Sequence, residues 1–287
     1  PITGNDEGIF GFGEDASSRV GYTNLVSNTG VVASDVSAVG TARRSLGACE
    51  YGDDKGIFGF GYTGSYTAIT NLVSNAGVVA SDVTGVGTGR SAVGCSYGTD
   101  KGIFGFGYKA STSVSMTNLV TNAGVVGTDV TGVGTARYNL TACEYGEDKG
   151  IFGFGNSGSA TAVTNLVSNA GVVATDTTGV GTARYSPAAC GYGGNKGIFG
   201  FGDTGSYTAV SNLVSNAGVV ATDTTGVGTA RSSLAACEYG INKGIFGFGW
   251  TGSKASMTNL VTSLGVVGTD VTGVGTARDN PAACSFN

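Results

Sequence analysis

Histidine is absent from this sequence of 287 residues. Its absence excludes imidazole metal ligands, His-based general acid–base catalysis and the Ser-His-Asp arrangement, in which imidazole moves the proton. Proline occurs only 3 times and tryptophan once, and charged residues make up just 12% of the chain. The formal net charge of −5 leaves no surplus of Lys and Arg for a phosphate backbone, which argues against a nucleic-acid partner. No apolar run approaches the roughly 20 residues that a membrane-spanning helix needs, so no membrane insertion is expected. No signal peptide is visible. The chain begins at Pro1 rather than Met, which leaves room for a removed leader and keeps the compartment open. No motif asks for a cofactor.

What is abundant is glycine, with 53 copies beside 40% hydrophobic residues. Regular spacing sets these glycines apart from those of a disordered chain. The pattern fits many short strands joined by tight turns, where glycine adopts positive φ without steric cost. The segment Gly-Ile-Phe-Gly-Phe-Gly starts at Gly8, Gly56, Gly102, Gly150, Gly197 and Gly244, so that successive starts are 48, 46, 48, 47 and 47 residues apart. Cys49, Cys95, Cys143, Cys190, Cys237 and Cys284 keep the same beat. A fixed period of this kind is the signature of a repeat architecture.

One unit reads as four strand-like segments. After Arg90 come Ser-Ala-Val-Gly-Cys-Ser-Tyr, then a turn, then Ile103-Phe104-Gly105-Phe106. A variable stretch leads to Met116-Thr117-Asn118-Leu119-Val120, and Asn122-Ala123-Gly124 turns into Val125-Val126. Short runs bounded by Gly and Asn read as hairpin strands, and no segment keeps helical spacing. Both faces of such a sheet are apolar or small, so each sheet must be sandwiched between two others. A linear β-solenoid would need polar end caps, which neither terminus shows. The expectation is an all-β, six-bladed β-propeller with four antiparallel strands per blade, a single domain over 1–287. Its ring would be closed by a C-terminal strand within 278–287 that completes the blade begun at 1–39.

The order of features in Arg231-Ser-Ser-Leu-Ala-Ala-Cys-Glu-Tyr-Gly-Ile-Asn-Lys-Gly-Ile-Phe-Gly-Phe-Gly249 resembles the kelch repeat over the whole chain. Two departures stand out: Phe-Gly replaces the usual glycine doublet, and Val-Val replaces the tryptophan near the fourth strand. The units are also similar to near-identical kelch-like repeats of phage-associated and environmental proteins. The resemblance implies a binding propeller for protein or carbohydrate. It also brings in a copper-oxidase branch, which the missing histidine rules out.

Six Arg (Arg43, Arg90, Arg137, Arg184, Arg231, Arg278) and six Asp (Asp35, Asp82, Asp129, Asp176, Asp223, Asp270) recur on the crossovers between units. Equal numbers of opposite charge suggest structural, mutually neutralised pairs rather than an anion-binding ring. The repeated Asn24, Asn71, Asn118, Asn165, Asn212 and Asn259 read the same way. The cysteines read as buried free thiols, because equivalent positions around a ring stand beyond the roughly 7 Å Cα separation that a disulfide bridges. Glu50, Glu144 and Glu238 follow the cysteine in alternate units. They are weak candidates for holding a hard cation through oxygen, and solvated carboxylates lining a wet channel are the plainer reading.

The copies differ after the second segment and just after each Arg. Both places fall on one face of a meander blade, and they gather Trp250, Tyr62, Tyr66, Tyr108, Tyr138, Tyr185 and Tyr207 among Ser and Asn. Rigid aromatics with flanking hydroxyls and amides suit polar recognition, against drift on exposed turns as the plain reading. The expectation is a non-catalytic binding scaffold, with a glycan or protein ligand on this face and these aromatics exposed. The rivals are a structural virion or assembly module, placed in a larger assembly, and a recently amplified or consensus-like repeat with no evolved ligand. An extracellular or virion setting is favoured.

Overall fold

The computed structural model describes residues 6–37 and 39–287. Residues 1–5 and Ala38, which the 1–39 part-blade would include, lie outside the described residues. Among those described there are eighteen β-strands and no helix. They form six three-stranded antiparallel sheets.

Five sheets are consecutive in sequence. They are β3 (Gly47–Tyr51), β4 (Lys55–Gly59) and β5 (Thr70–Val73); β6 (Ser91–Tyr97), β7 (Lys101–Lys109) and β8 (Thr112–Val120); β9 (Thr141–Tyr145), β10 (Lys149–Gly153) and β11 (Thr164–Val167); β12 (Ala188–Tyr192), β13 (Lys196–Asp203) and β14 (Tyr207–Val214); and β15 (Ala235–Tyr239), β16 (Lys243–Trp250) and β17 (Lys254–Val261). The sixth joins β1 (Glu7–Gly11) and β2 (Thr23–Val26) to β18 (Ala282–Phe286), with Ile9 opposite Cys284 and Phe10 opposite Ala283. The strand carrying Cys284 thus stands where the strand carrying Cys49 stands in the next sheet.

Cysteine-bearing strands of successive sheets lie side by side: β3 with β6, then β9, β12, β15 and β18, and β18 with β3. One backbone hydrogen bond recurs at each step. Gly52 N donates to Asp100 O, Gly98 N to Asp148 O, Gly146 N to Asn195 O and Gly193 N to Asn242 O, all at 2.8 Å. Gly240 N donates to Asp6 O at 2.8 Å and Asn287 N to Asp54 O at 3.0 Å. Six tandem sheets related in this way are consistent with a repeat β-propeller.

The repeated motif explains the packing. At Gly150 a Cβ would stand 2.6 Å from Cys95 Sγ, so glycine is what lets the neighbouring thiol seat there. The same thiol-on-glycine contact recurs at Gly8, Gly197 and Gly244. The second glycine, as at Gly153, receives the ring of Phe199 from the following sheet. The last Phe of the motif adopts positive φ, 63° at Phe12, a genuine outlier for a bulky residue. That backbone twist places Phe12 edge-on to Phe58 of the next sheet at 5.3 Å. The core is accordingly a set of inter-sheet clusters, such as Ile103 and Phe106 with Leu140, Phe152 and Val167.

The fourth segment of each unit is present but forms no ladder strand. It touches the third strand at two isolated bridges, Val120↔Val126 and Thr117↔Val130 in one unit. Between these bridges the outer segment carries one residue more than its partner, a bulge that ends regular pairing. Asp129 sits in that bulge and its carboxylate turns back onto Asn118 and Thr88. A bulged edge with inward-turned charge resists pairing with other chains.

Candidate functional site

The six arginines are fully buried. Arg90 Nε donates to Phe106 O at 2.9 Å, one terminal nitrogen to Thr88 O at 3.1 Å and the other to Asn118 Oδ1 at 2.7 Å. Its guanidinium lies 4.3 Å from the ring centre of Phe60 in the preceding sheet. Arg and Asp neighbours in sequence are not the spatial pairs. Arg90 reaches Asp129 at 3.8 Å, and Arg278 reaches Asp35 at 3.6 Å. Burial pulls the arginines down to about 10, which leaves them charged at neutral pH, and the Asp charge opposes the shift. Burial raises the Asp129 carboxyl, yet hydrogen bonds from Thr88 and Asn118 and the Arg90 charge outweigh it and hold it below the usual carboxylate range. All of this ties each crossover to its sheet, and the buried guanidiniums present nothing to a ligand.

A cavity of about 130 Å³ opens between the sheets where the cysteine-bearing strands begin, and one of about 60 Å³ lies toward their other end. Glu50, Glu144 and Glu238 line the smaller one, with all six cysteines beside them. The thiols are buried and free, and burial pushes them up. Burial, reinforced by the Glu50 charge, pushes Glu144 up to about 8, and Glu238 is raised for the same reasons with Glu144 added. The Glu238 carboxylate fills the space that a Cβ on Gly191 would need. Glu50 instead accepts from Ser285 N at 3.2 Å. Among the described residues no group of three or more His, Cys, Asp or Glu side chains is arranged to hold a metal ion.

The variable positions do converge. The residue after each Arg is bridged to the residue after the repeated motif: Arg44 to Tyr62, Tyr138 to Asn156, Tyr185 to Asp203 and Ser232 to Trp250, and Ser91 opposes Tyr108 in register. Four tyrosines from neighbouring units form a continuous band. Ring centres are 5.1 Å apart for Tyr62 and Tyr66, 6.1 Å for Tyr66 and Tyr108, and 5.0 Å for Tyr108 and Tyr138. Arg19 and Arg44 cover Tyr62 at 5.4 and 5.6 Å. Tyr185 bonds Asp203 and has Tyr138 and Tyr207 close by. Trp250 lies elsewhere, paired in register with Lys254. That lysine bridges Asp279 at 2.9 Å and Glu14 at 3.3 Å.

None of these aromatics is exposed as expected; all seven are half-buried. They shield one another, because side chains on adjoining units are close enough to pack ring against ring. Sequence reading also passed over a ring of small residues at the mouth of the larger cavity: Ser45, Asn139, Ser186, Ser233 and Asn280. Each has positive φ, between 50° and 55°. Their common place two residues after Arg was the available signal.

Neither the family models nor the curated proteins compared with this chain give a match.

Proposed function

We propose that this chain is a closed, six-bladed propeller of kelch-like, four-stranded units that acts as a non-catalytic binding scaffold, with a glycan as ligand on the variable face. The observation that carries the reading is the tyrosine band running across adjoining units with hydroxyl and amide groups beside it. Its rings are held by one another before any ligand arrives, so little side-chain entropy is lost on binding. The pairing of β18 with β1, and the side-by-side placement of β18 and β3, support ring closure. The bridged fourth segment supports a four-stranded unit with a worn outer edge. A sequence without histidine, and buried thiols pushed up and away from thiolate, favour binding over catalysis.

The test is a glycan array probed with the wild-type chain and with Tyr108→Ala and Trp250→Ala. Selective binding that Tyr108→Ala weakens by about 2 kcal/mol, the size of an anchoring aromatic, supports the reading. A folded wild-type chain that binds no glycan defeats it. A second reading, an assembly module, is favoured by one observation. Valines at equivalent outer positions stay exposed in every unit, 64% at Val31, Val78, Val172 and Val219, and repeated exposed apolar groups suit contacts between proteins.

A further inference from the structure

The six units are not equal at the mouth of the larger cavity. Ser45 N donates to Asn280 O at 3.1 Å, Asn280 N to Ser233 O at 2.8 Å, Ser233 N to Ser186 O at 3.0 Å and Ser186 N to Asn139 O at 2.7 Å. Each of these four units hands one backbone N–H to the carbonyl of the unit before it. The chain of bonds stops there. The unit that begins at Arg90 has one residue fewer between its Arg and its Cys than the others, and the residue that would continue the ring is missing. Asn139 N–H and Ser45 C=O, which that residue would have joined, make no hydrogen bond among the described residues.

Three further features gather at this gap. The Ser91 hydroxyl accepts from Tyr108 N at 3.0 Å, at the register position where Ser91 stands opposite Tyr108. Gly107 lines the cavity, and none of its five counterparts in the other units does so. The same unit has also gained a residue between its second and third strands, which leaves the Arg-to-Arg interval even. The gain builds the longest hairpin of the protein, β7 and β8 with nine residues each, turning at Ala110 and Ser111 in positive φ. The residue lost at the mouth leaves a notch in this ring. Gly107 and Asn139 line the cavity there, and Tyr108 and Tyr138 are their neighbours in sequence.

The missing element is an acceptor for Asn139 N–H and a donor for Ser45 C=O, pointing in opposite directions. A secondary amide supplies both. Leu46, Ala92 and Leu140 line the cavity below and suit a methyl group, and tyrosine faces suit a pyranose ring. We infer that the notch is the subsite for a 2-acetamido sugar, whose acetamido group completes the broken ring of backbone hydrogen bonds while its pyranose rests on Tyr108 and Tyr138. The inference rests on the glycan reading above and adds a sugar class and a place.

The test is titration of the full chain, followed by NMR at the Asn139 amide and by calorimetry, with N-acetylglucosamine, N-acetylgalactosamine, glucose and galactose. At least one N-acetylated sugar is expected to bind at least tenfold tighter than its parent and to protect the Asn139 amide from exchange at least tenfold. Inserting a serine between Ser91 and Ala92, which copies the Arg231-Ser232-Ser233 order, is expected to erase that preference at unchanged melting temperature. Should the insertion unfold the protein, Tyr138→Ala with the Asn139 readout takes its place, and is expected to weaken the N-acetylated sugar at least tenfold. Equal affinity for acetylated and parent sugars, or a folded insertion variant that keeps the preference, overturns the notch while the glycan face stands. Wild-type protein that binds no glycan on the array removes both. N-acetylalanine methylamide protecting Asn139 where no sugar does overturns the sugar class in favour of peptide.

Discussion

Single residues in this protein act mostly across sheet boundaries. Gly150 has no turn to make; it is glycine because Cys95 of the neighbouring sheet occupies the place of a side chain, with Ser96 O a further 3.1 Å neighbour of that place. Gly150→Ala is expected to cost about 1–3 kcal/mol, as overpacking does. Adding Cys95→Ala should return part of that loss, a coupling of about 0.5–3 kcal/mol for residues in contact, measured by urea unfolding of the two single variants and the double. Full additivity would show that the thiol is not what excludes the methyl.

Carboxylates divide by environment at the same scale. Asp129 and its counterparts titrate below their ordinary value in the folded chain. They contribute stability above the unfolded value of about 3.9 that is lost as pH falls through the lowered folded value. Glu144 runs the other way. Its folded value, raised to about 8, means that stability falls as pH climbs from about 4.3 toward 8. Glu144→Gln is therefore expected to raise the melting temperature at pH 9 and leave it unchanged at pH 4. The opposite pH dependence would contradict a proton held at Glu144.

At the scale of the element, the strands are too short to persist alone, four or five residues in eleven of the eighteen, and each depends on its neighbours. The most exposed dependence is β18, which supplies one of three strands to the sheet of β1 and β2. Deleting residues from Pro281 onward uncovers the edge of β1 and the face of β3. Unpaired edges invite association, so the truncated chain is expected to melt lower and to form oligomers by light scattering. A monomer with an unchanged melting temperature would show that β18 adds nothing to the sheet. The outer segments behave differently, since Val125 and Val130 are exposed and each segment meets the third strand at two isolated bridges in place of a continuous ladder. Amide exchange should be fastest there and slowest in β1, β4, β7, β10, β13 and β16, the central strands.

For the whole molecule, the six buried thiols report on integrity. Each is about 4% exposed, so a thiol reagent should find few reactive groups in the native protein and six after denaturation without reductant. Fewer than six in the denatured chain would mean that disulfides form. The variable face also has to be judged as a whole, because its tyrosines support one another. Tyr108→Ala removes ring contacts to both Tyr66 and Tyr138, each worth about 0.5–1.5 kcal/mol. It is expected to lower stability and binding together. Trp250→Ala lies outside the band and is expected to leave stability within about 1 kcal/mol. A Tyr108 variant of full stability would mean that the band is not a packed unit.

The repeat, its period, the strand-like segments and the pairing of variable positions follow from the sequence, because turn glycines and apolar alternation are local signals that six copies restate. That Arg and Asp stand near one another is also legible, from their equal number. Which Asp each Arg meets is not, since Arg90 and Asp129 come together only when the third strand pairs with the second and the fourth segment folds back against the third. The bulge that turns the fourth segment into two bridges depends on where Asp129 finds Asn118 and Thr88. The half-burial of the tyrosines depends on the distance between adjoining units. The gap at Asn139 and Ser45 is written as one missing residue near Ser91, but a missing residue acquires chemical meaning only when the neighbouring units offer a donor and an acceptor to the space it leaves.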